Sequence, residues 1–126
     1  MAKILLDTDV IIEWLRGLEP VVTTISDLLN AHAEFFWTPI SVAEIYAGLR
    51  KSEEPQAENL FILLESVSIS PEAGRRAGRY LNLYSKSHGV EIADALIAGC
   101  ASTENLPLWS LNRKHYPMRD LTFFQP

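Results

Sequence analysis

The stretch KILLDTDVII, residues 3–12, constrains the fold more than any other: the aliphatic run Ile4-Leu5-Leu6 stops against Asp7-Thr8-Asp9, and apolar character resumes at once. A short apolar run without polar alternation reads as a strand buried on both faces. Asp7, Thr8 and Asp9 then lie at its C-terminal edge. A carboxylate beside so much apolar surface is costly to desolvate unless something positive meets it. These acids therefore either cap a helix or hold a cation.

The rest of the chain alternates in the same manner. Helical patterns are predicted over 10–15, ended by Gly17 and Pro20, and over 21–33, with Val22, Ile25, Leu28 and Leu29 on one face. Strand-like segments follow at 35–38, 67–69, 108–111 and 121–124. Between them, Ser41 opens SVAE, the capping-box pattern of a helix through about residue 50, which gives Glu44 a structural role. A further helix lies within SEEPQAENLFILLES, a long one starts at Pro71 and runs to about residue 88, and another spans 91–104. In the long helix Ala73, Gly74, Ala77 and Gly78 are small residues that would let a neighbouring helix approach closely. Short strands alternating with helices predict a three-layer α/β/α fold around a mainly parallel sheet. Ligands of such sheets gather at the C-terminal strand ends.

At 126 residues, with no repeat or linker to divide it, the chain is expected to form one domain, 1–126, and to bury roughly two-thirds of its unfolded surface. The net charge of −5 argues against holding a polyanion by bulk electrostatics. Any such ligand must be gripped locally, by metal ions or by the small basic groups Arg50-Lys51, Arg75-Arg76 with Arg79, and Arg113-Lys114. The single cysteine, Cys100, sits in the small-residue run ALIAGCA and suits a reducing compartment and a packing role. No apolar run approaches the ~20 residues of a membrane helix, so a cytoplasmic protein is expected.

Asp7, Asp9, Glu44 in VAEIYAGL and Asp94 in EIADALIAGCA stand apart because each is embedded in apolar or small residues. Asp94 is the most informative, since its helix looks buried nearly all round. A first-turn acid gains only ~0.3–1 kcal/mol from the helix dipole, little against the penalty of an unpaired buried charge. A hard divalent ion such as Mg²⁺ or Mn²⁺ would compensate it, and acids from a strand end and from helix starts could converge on one. Such a centre polarises a phosphate oxygen and activates water for in-line displacement. For any single acid, a structural explanation stands beside the functional one.

An apolar strand into D-T-D, then TPISVAEIYAGL, then IADALIAGCA, then a strand into SLNRKHYP, resembles the PIN-domain ribonucleases, specifically VapC-type toxins of bacterial toxin–antitoxin pairs. The resemblance spans essentially the whole chain. It implies a three-layer fold, Mg²⁺- or Mn²⁺-dependent endoribonuclease activity, a homodimer, and a VapB-like antitoxin that blocks the acidic site and carries any higher-order complex with DNA. By that resemblance Asp7, Glu44 and Asp94 match the family's first three acids. Asp7 and Asp94 would be the principal metal ligands, with Glu44 completing the site directly or through water.

Around these acids, Thr8 is expected to orient the first carboxylate, and Asp9 to cap the following helix in preference to an outer-shell role. Glu91, three residues before Asp94, either reaches the site or serves the helix N-terminus. Many relatives carry a fourth acid after the fourth strand, whereas SLNRKHYP offers Asn112 and His115. These could contact a metal-bound water or phosphate, and Arg113 and Lys114 could grip RNA, against the simpler reading of solvated turn residues. The tryptophans Trp14, Trp37 and Trp109 are assigned to packing before base stacking. Other classes share parts of the pattern. A haloacid dehalogenase-like phosphatase would use Asp7 and Asp9 with Lys114 and Asp120, a receiver domain would need an aspartate that VSIS lacks, and a catalytically inactive PIN-like module fits the missing fourth acid.

Overall fold

A computed structural model describes residues 1–126. Four strands, β1 (Lys3–Leu6), β2 (Glu34–Trp37), β3 (Glu65–Ser66) and β4 (Leu108–Trp109), form one parallel sheet in the order β3-β2-β1-β4. Around it lie α1 (Thr8–Leu15), α2 (Val21–Asn30), α3 (Pro39–Gly48), α4 (Glu54–Leu63), α5 (Pro71–His88) and α6 (Ile92–Glu104). The sheet is layered because successive side chains of a strand point to opposite faces. Leu5 and Leu108 pack into one cluster with Ala73, Ala77 and Ala98 of α5 and α6. Ile4, Leu6 and Trp109 join the other, with Val10, Ile11, Ile25, Ile45 and Phe61 of the remaining helices. Ile4, Leu5 and Leu6 are fully buried, which is why the first strand shows no polar alternation.

Several element boundaries move from those predicted. Helix α3 starts at Pro39, not Ser41; Thr38 is the N-cap, its hydroxyl accepting the Ser41 N–H at 3.4 Å. Pro39 suits the first helical position, where its missing N–H is no loss. Ser41 is thus a buried residue inside the helix, and the capping-box role for Glu44 falls away. The third strand is Glu65–Ser66, ahead of 67–69, although the Val67 N–H still reaches Trp37 O at 2.8 Å. The expected last strand shrinks to a single bridge, Leu108 to Phe123, because β4 offers only two residues to pair with.

Helices α5 and α6 approach closely, but only part of the small-residue set serves the approach. Ala73 and Ala77 are buried against α6. Gly74 and Gly78 face open space, one residue and about 100° further round the helix. The residue that permits the approach is Gly99, where an added Cβ would lie 2.4 Å from Ala73 O. A backbone carbonyl cannot yield as a side-chain tip can. Gly99→Ala is therefore expected to destabilise the fold by about 1–3 kcal/mol, read as a lower urea midpoint, whereas Gly78→Ala is expected to be neutral or stabilising. An unchanged midpoint in Gly99→Ala would refute the tight crossing.

Cys100 packs in the same layer at 1% exposure, and burial pushes its thiol up to about 11, so it is an inert packing residue. Trp109 is buried, and the Trp37 ring N–H donates to Phe61 O at 3.2 Å. Trp109 belongs to the core, and the partly buried Trp37 packs against it. No helix is long and apolar enough to cross a membrane.

Candidate active site

The site begins where β1 ends. β1 lies between β2 and β4, and Asp7 follows its last residue with its own N–H donated to Trp109 O at 2.9 Å. The carboxylate is thereby fixed at the C-terminal edge of the sheet, where loops of parallel sheets leave room for ligands. Asp7 occupies the N-cap of α1, and its Oδ1 accepts the Thr8 N–H at 2.8 Å. Asp9, expected to cap that helix, lies instead in its first turn. Its Oδ2 accepts the Leu111 N–H at 3.1 Å, which ties α1 to the loop after β4, and its Oδ1 is buried without a partner.

Thr8 orients the first carboxylate as expected and also reaches a second one. Its backbone N–H meets the first carboxylate, while its hydroxyl donates to Glu44 Oε1 at 2.7 Å. Having spent its one proton there, Thr8 Oγ1 must accept from Ser41 Oγ, 2.8 Å away. Glu44 is thus tied to the strand end by the Thr8 hydroxyl, itself fixed by a buried serine. On the opposite side, Asp94 is the third residue of α6, and its Oδ2 accepts the Glu91 N–H at 3.4 Å. The helix is not buried all round: Ile92 is 66% exposed and the first turn opens toward the cavity.

One cavity of about 390 Å³ gathers Asp7, Thr8, Asp9, Glu44, Glu91, Asp94, Asn112 and His115 on its wall. Arg113 and Lys114 are not on it. The Arg113 guanidinium lies over the Phe123 ring at 4.8 Å and donates to Phe124 O at 3.2 Å, so it anchors the C-terminal segment. At the rim, Asn112 Nδ2 is 3.1 Å from His115 Nε2, and His115 Nδ1 stands 3.8 Å from Asp94 Oδ1. With the amide donating to Nε2, the ring proton sits on Nδ1, facing the carboxylate.

No lysine or arginine lines this wall, and the carboxylates respond accordingly. Burial raises the Asp7 pKa, with Asp94's charge adding to it. The Ser110 hydroxyl, the Thr8 N–H and the Tyr116 hydroxyl pull it back. Burial and then the charge of Asp7 push Asp9 up to about 6. Asp94 is raised by burial, offset in part by the Glu91 N–H and by His115. Ser41, Ser110 and Tyr116 were not anticipated. Ser110 was the most accessible of them, since it follows β4 as Asp7 follows β1. Tyr116 carries no sequence signal.

The donor set is all oxygen apart from the rim histidine, electron-rich and short of positive charge, which suits a hard divalent ion. The buried, unpartnered Asp9 Oδ1 adds a further acceptor without a donor. No three acidic, histidine or cysteine side chains close into a cage unaided. An ion such as Mg²⁺, which keeps several waters, does not require one.

Fold and cavity together define a three-layer α/β/α protein with an acidic centre at the carboxyl ends of its strands. The chain belongs to the PIN-domain family, whose profile matches residues 4–120. It is 35% identical over 121 residues to Ribonuclease VapC10 of Mycobacterium tuberculosis, covering 91% of this chain and 86% of that protein. With Ribonuclease VapC19 of the same organism it shares 30% identity over 115 residues, 90% of this chain and 92% of the relative. Its fold also matches the crystal structure of VapBC2 from Rickettsia felis bound to a DNA fragment from their promoter. There the TM-score is 0.81 at 19% identity, over 97% of both chains. Family membership displaces the receiver and phosphatase readings. The phosphatase also loses its lysine, because Lys114 is off the cavity wall, and Asp120, which instead accepts the Tyr80 hydroxyl at 2.7 Å.

Proposed function

We propose that this chain is a VapC-type endoribonuclease that hydrolyses RNA phosphodiester bonds with Mg²⁺ or Mn²⁺ held by Asp7, Asp94 and Glu44. It acts as a homodimer and is restrained by a VapB-like antitoxin. The observation that supports the reading is that carboxylates from the end of β1, from α3 and from the first turn of α6 line one cavity that has no lysine or arginine on its wall. A polyanion approaching so acidic a wall on a chain of net charge −5 is repelled unless a cation intervenes. When bound, the ion supplies Lewis-acid polarisation of a phosphate oxygen and a lowered pKa for its water.

The chain's own groups hold and aim. The Thr8 N–H fixes Asp7, the Thr8 hydroxyl fixes Glu44, and the Glu91 N–H bears on Asp94. Asn112, at the rim beside Asp94, keeps the second hydrogen of its amide nitrogen for a phosphate oxygen, while His115 braces that amide. Exposed Lys114, one residue away, adds positive charge along the path of the strand. Purified protein is expected to cut structured RNA in Mn²⁺ or Mg²⁺, to stop on chelation, and to be silenced by its antitoxin. RNA that stays intact across a panel of substrates with both ions present would leave the catalytically inactive module as the surviving reading.

A further inference from the structure

In the segment after β4, Asn112 and His115 line the cavity wall and Arg113, between them, does not. The segment is fastened upstream, where the Leu111 N–H meets Asp9 Oδ2 at 3.1 Å, and downstream, where Tyr116 enters the core at 3% exposure. Residues 111–115 are all exposed, so burial does not hold the turn between those points. Arg113 does. Its Nη2 donates to Phe124 O at 3.2 Å, and its guanidinium lies 4.8 Å from the centroid of the Phe123 ring. The base of this clamp is itself fixed to β4: the Leu108 N–H donates to Thr122 O and the Phe124 N–H to Leu108 O, each at 2.9 Å. The Phe124 ring also meets the buried Trp109 ring at 5.2 Å between centroids. A planar guanidinium that stacks and donates at once is held in two directions, which an ammonium on a flexible stem is not.

We propose that Arg113 is a positioning residue for phosphate recognition: by clamping the exposed turn onto the C-terminal segment, it sets the Asn112 amide, with its His115 brace, at the cavity mouth. The proposal rests on the ribonuclease reading above and gives Arg113 a part in it without contact with RNA. Freed from the clamp, the turn would let the amide drift from the phosphate it serves. Losing one hydrogen bond to a charged group costs about tenfold or more in rate.

Two readouts on the full chain test this. In nitrogen-15 spectra without metal or RNA, the Asn112 side-chain amide is expected to move toward the position of a free asparagine in Arg113→Met, and likewise in Phe123→Leu, which changes no charge. With a labelled RNA hairpin and Mn²⁺, kcat/KM is expected to fall about tenfold in both, while Mn²⁺ affinity by calorimetry stays at wild type. Arg113→Met combined with Asn112→Ala should lose no more than Asn112→Ala alone, since the guanidinium acts through that amide. An Asn112 amide that stays in place in Arg113→Met overturns the proposal. So does a double variant whose loss is the product of the two single losses, which would put the guanidinium on RNA itself. Wild-type cleavage in Phe123→Leu, with the salt slope of RNA binding lowered by about 0.7 in Arg113→Met, would mean the same direct contact. If the amide moves in both variants but wild type cuts no RNA, the ribonuclease reading has failed and takes this one with it. If wild type cuts and the amide does not move, only the assignment of Arg113 fails.

Discussion

Asp94→Asn and Asp7→Asn are each expected to lower Mn²⁺-supported RNA cleavage by at least ~10²-fold, since about 3 kcal/mol of lost charge stabilisation already amounts to that. The chain should remain folded in both. Asparagine keeps the shape of the side chain and one carbonyl acceptor, so in Asp7→Asn the Thr8 N–H retains its partner. What disappears is a charge that burial disfavours in the metal-free fold, as the raised pKa of Asp7 records. The Asp7→Asn melting temperature in EDTA should therefore equal or exceed that of wild type while activity collapses. A residue kept for stability would show the opposite pair of results. Retained cleavage in either variant, with the fold verified by circular dichroism, would remove that residue from the centre.

The apolar runs made the layers legible, because a strand buried on both faces has no polar alternation to confuse it with a surface strand, and Ile4 to Leu6 is such a strand. The helix from Pro71 to His88 was legible at both ends. Proline opens it, and Gly89, in the left-handed region at φ 64°, follows its last residue. What sequence could not supply were contacts across long separations. The Thr8 hydroxyl meets Glu44 36 positions away and Asp9 meets the Leu111 N–H 102 positions away. Local pattern therefore gave the contact of Thr8 with Asp7 but not the reach of its hydroxyl to Glu44, and it assigned Asp9 to a helix cap. Ser41 misled for the same reason: S-x-x-E is a local signature, whereas tertiary packing drew both its side chains toward Thr8. The short β3 and the single bridge at Phe123 were beyond pattern reading, since two residues carry no period.

In EDTA the protein should grow more stable as the pH falls from 7.5 toward 5, and Mn²⁺ should reverse that slope. Asp9 titrates near 6 in the folded chain against an ordinary value of 3.8, and Asp7 and Asp94 are also raised. The folded state thus binds more protons than the unfolded chain between about pH 4 and 6, so stability decreases as pH rises through that window and is fully present only below it. An acid held by a cationic partner gives the contrary trend, and no lysine or arginine lines this cavity. A divalent ion binds only the ionised ligands, and at a hundredfold excess over Kd it stabilises the fold by about 2.7 kcal/mol, on the order of 10 °C. That gain is largest at pH 7.5, where no proton competes, and shrinks toward pH 5. Melting curves with and without Mn²⁺ should accordingly diverge as pH rises, and Asp9→Asn should flatten the metal-free curve by removing one of its raised carboxylates. Parallel curves would mean that the ion does not meet these carboxylates. A metal-free melting temperature that climbs with pH would mean that some positive group already neutralises them.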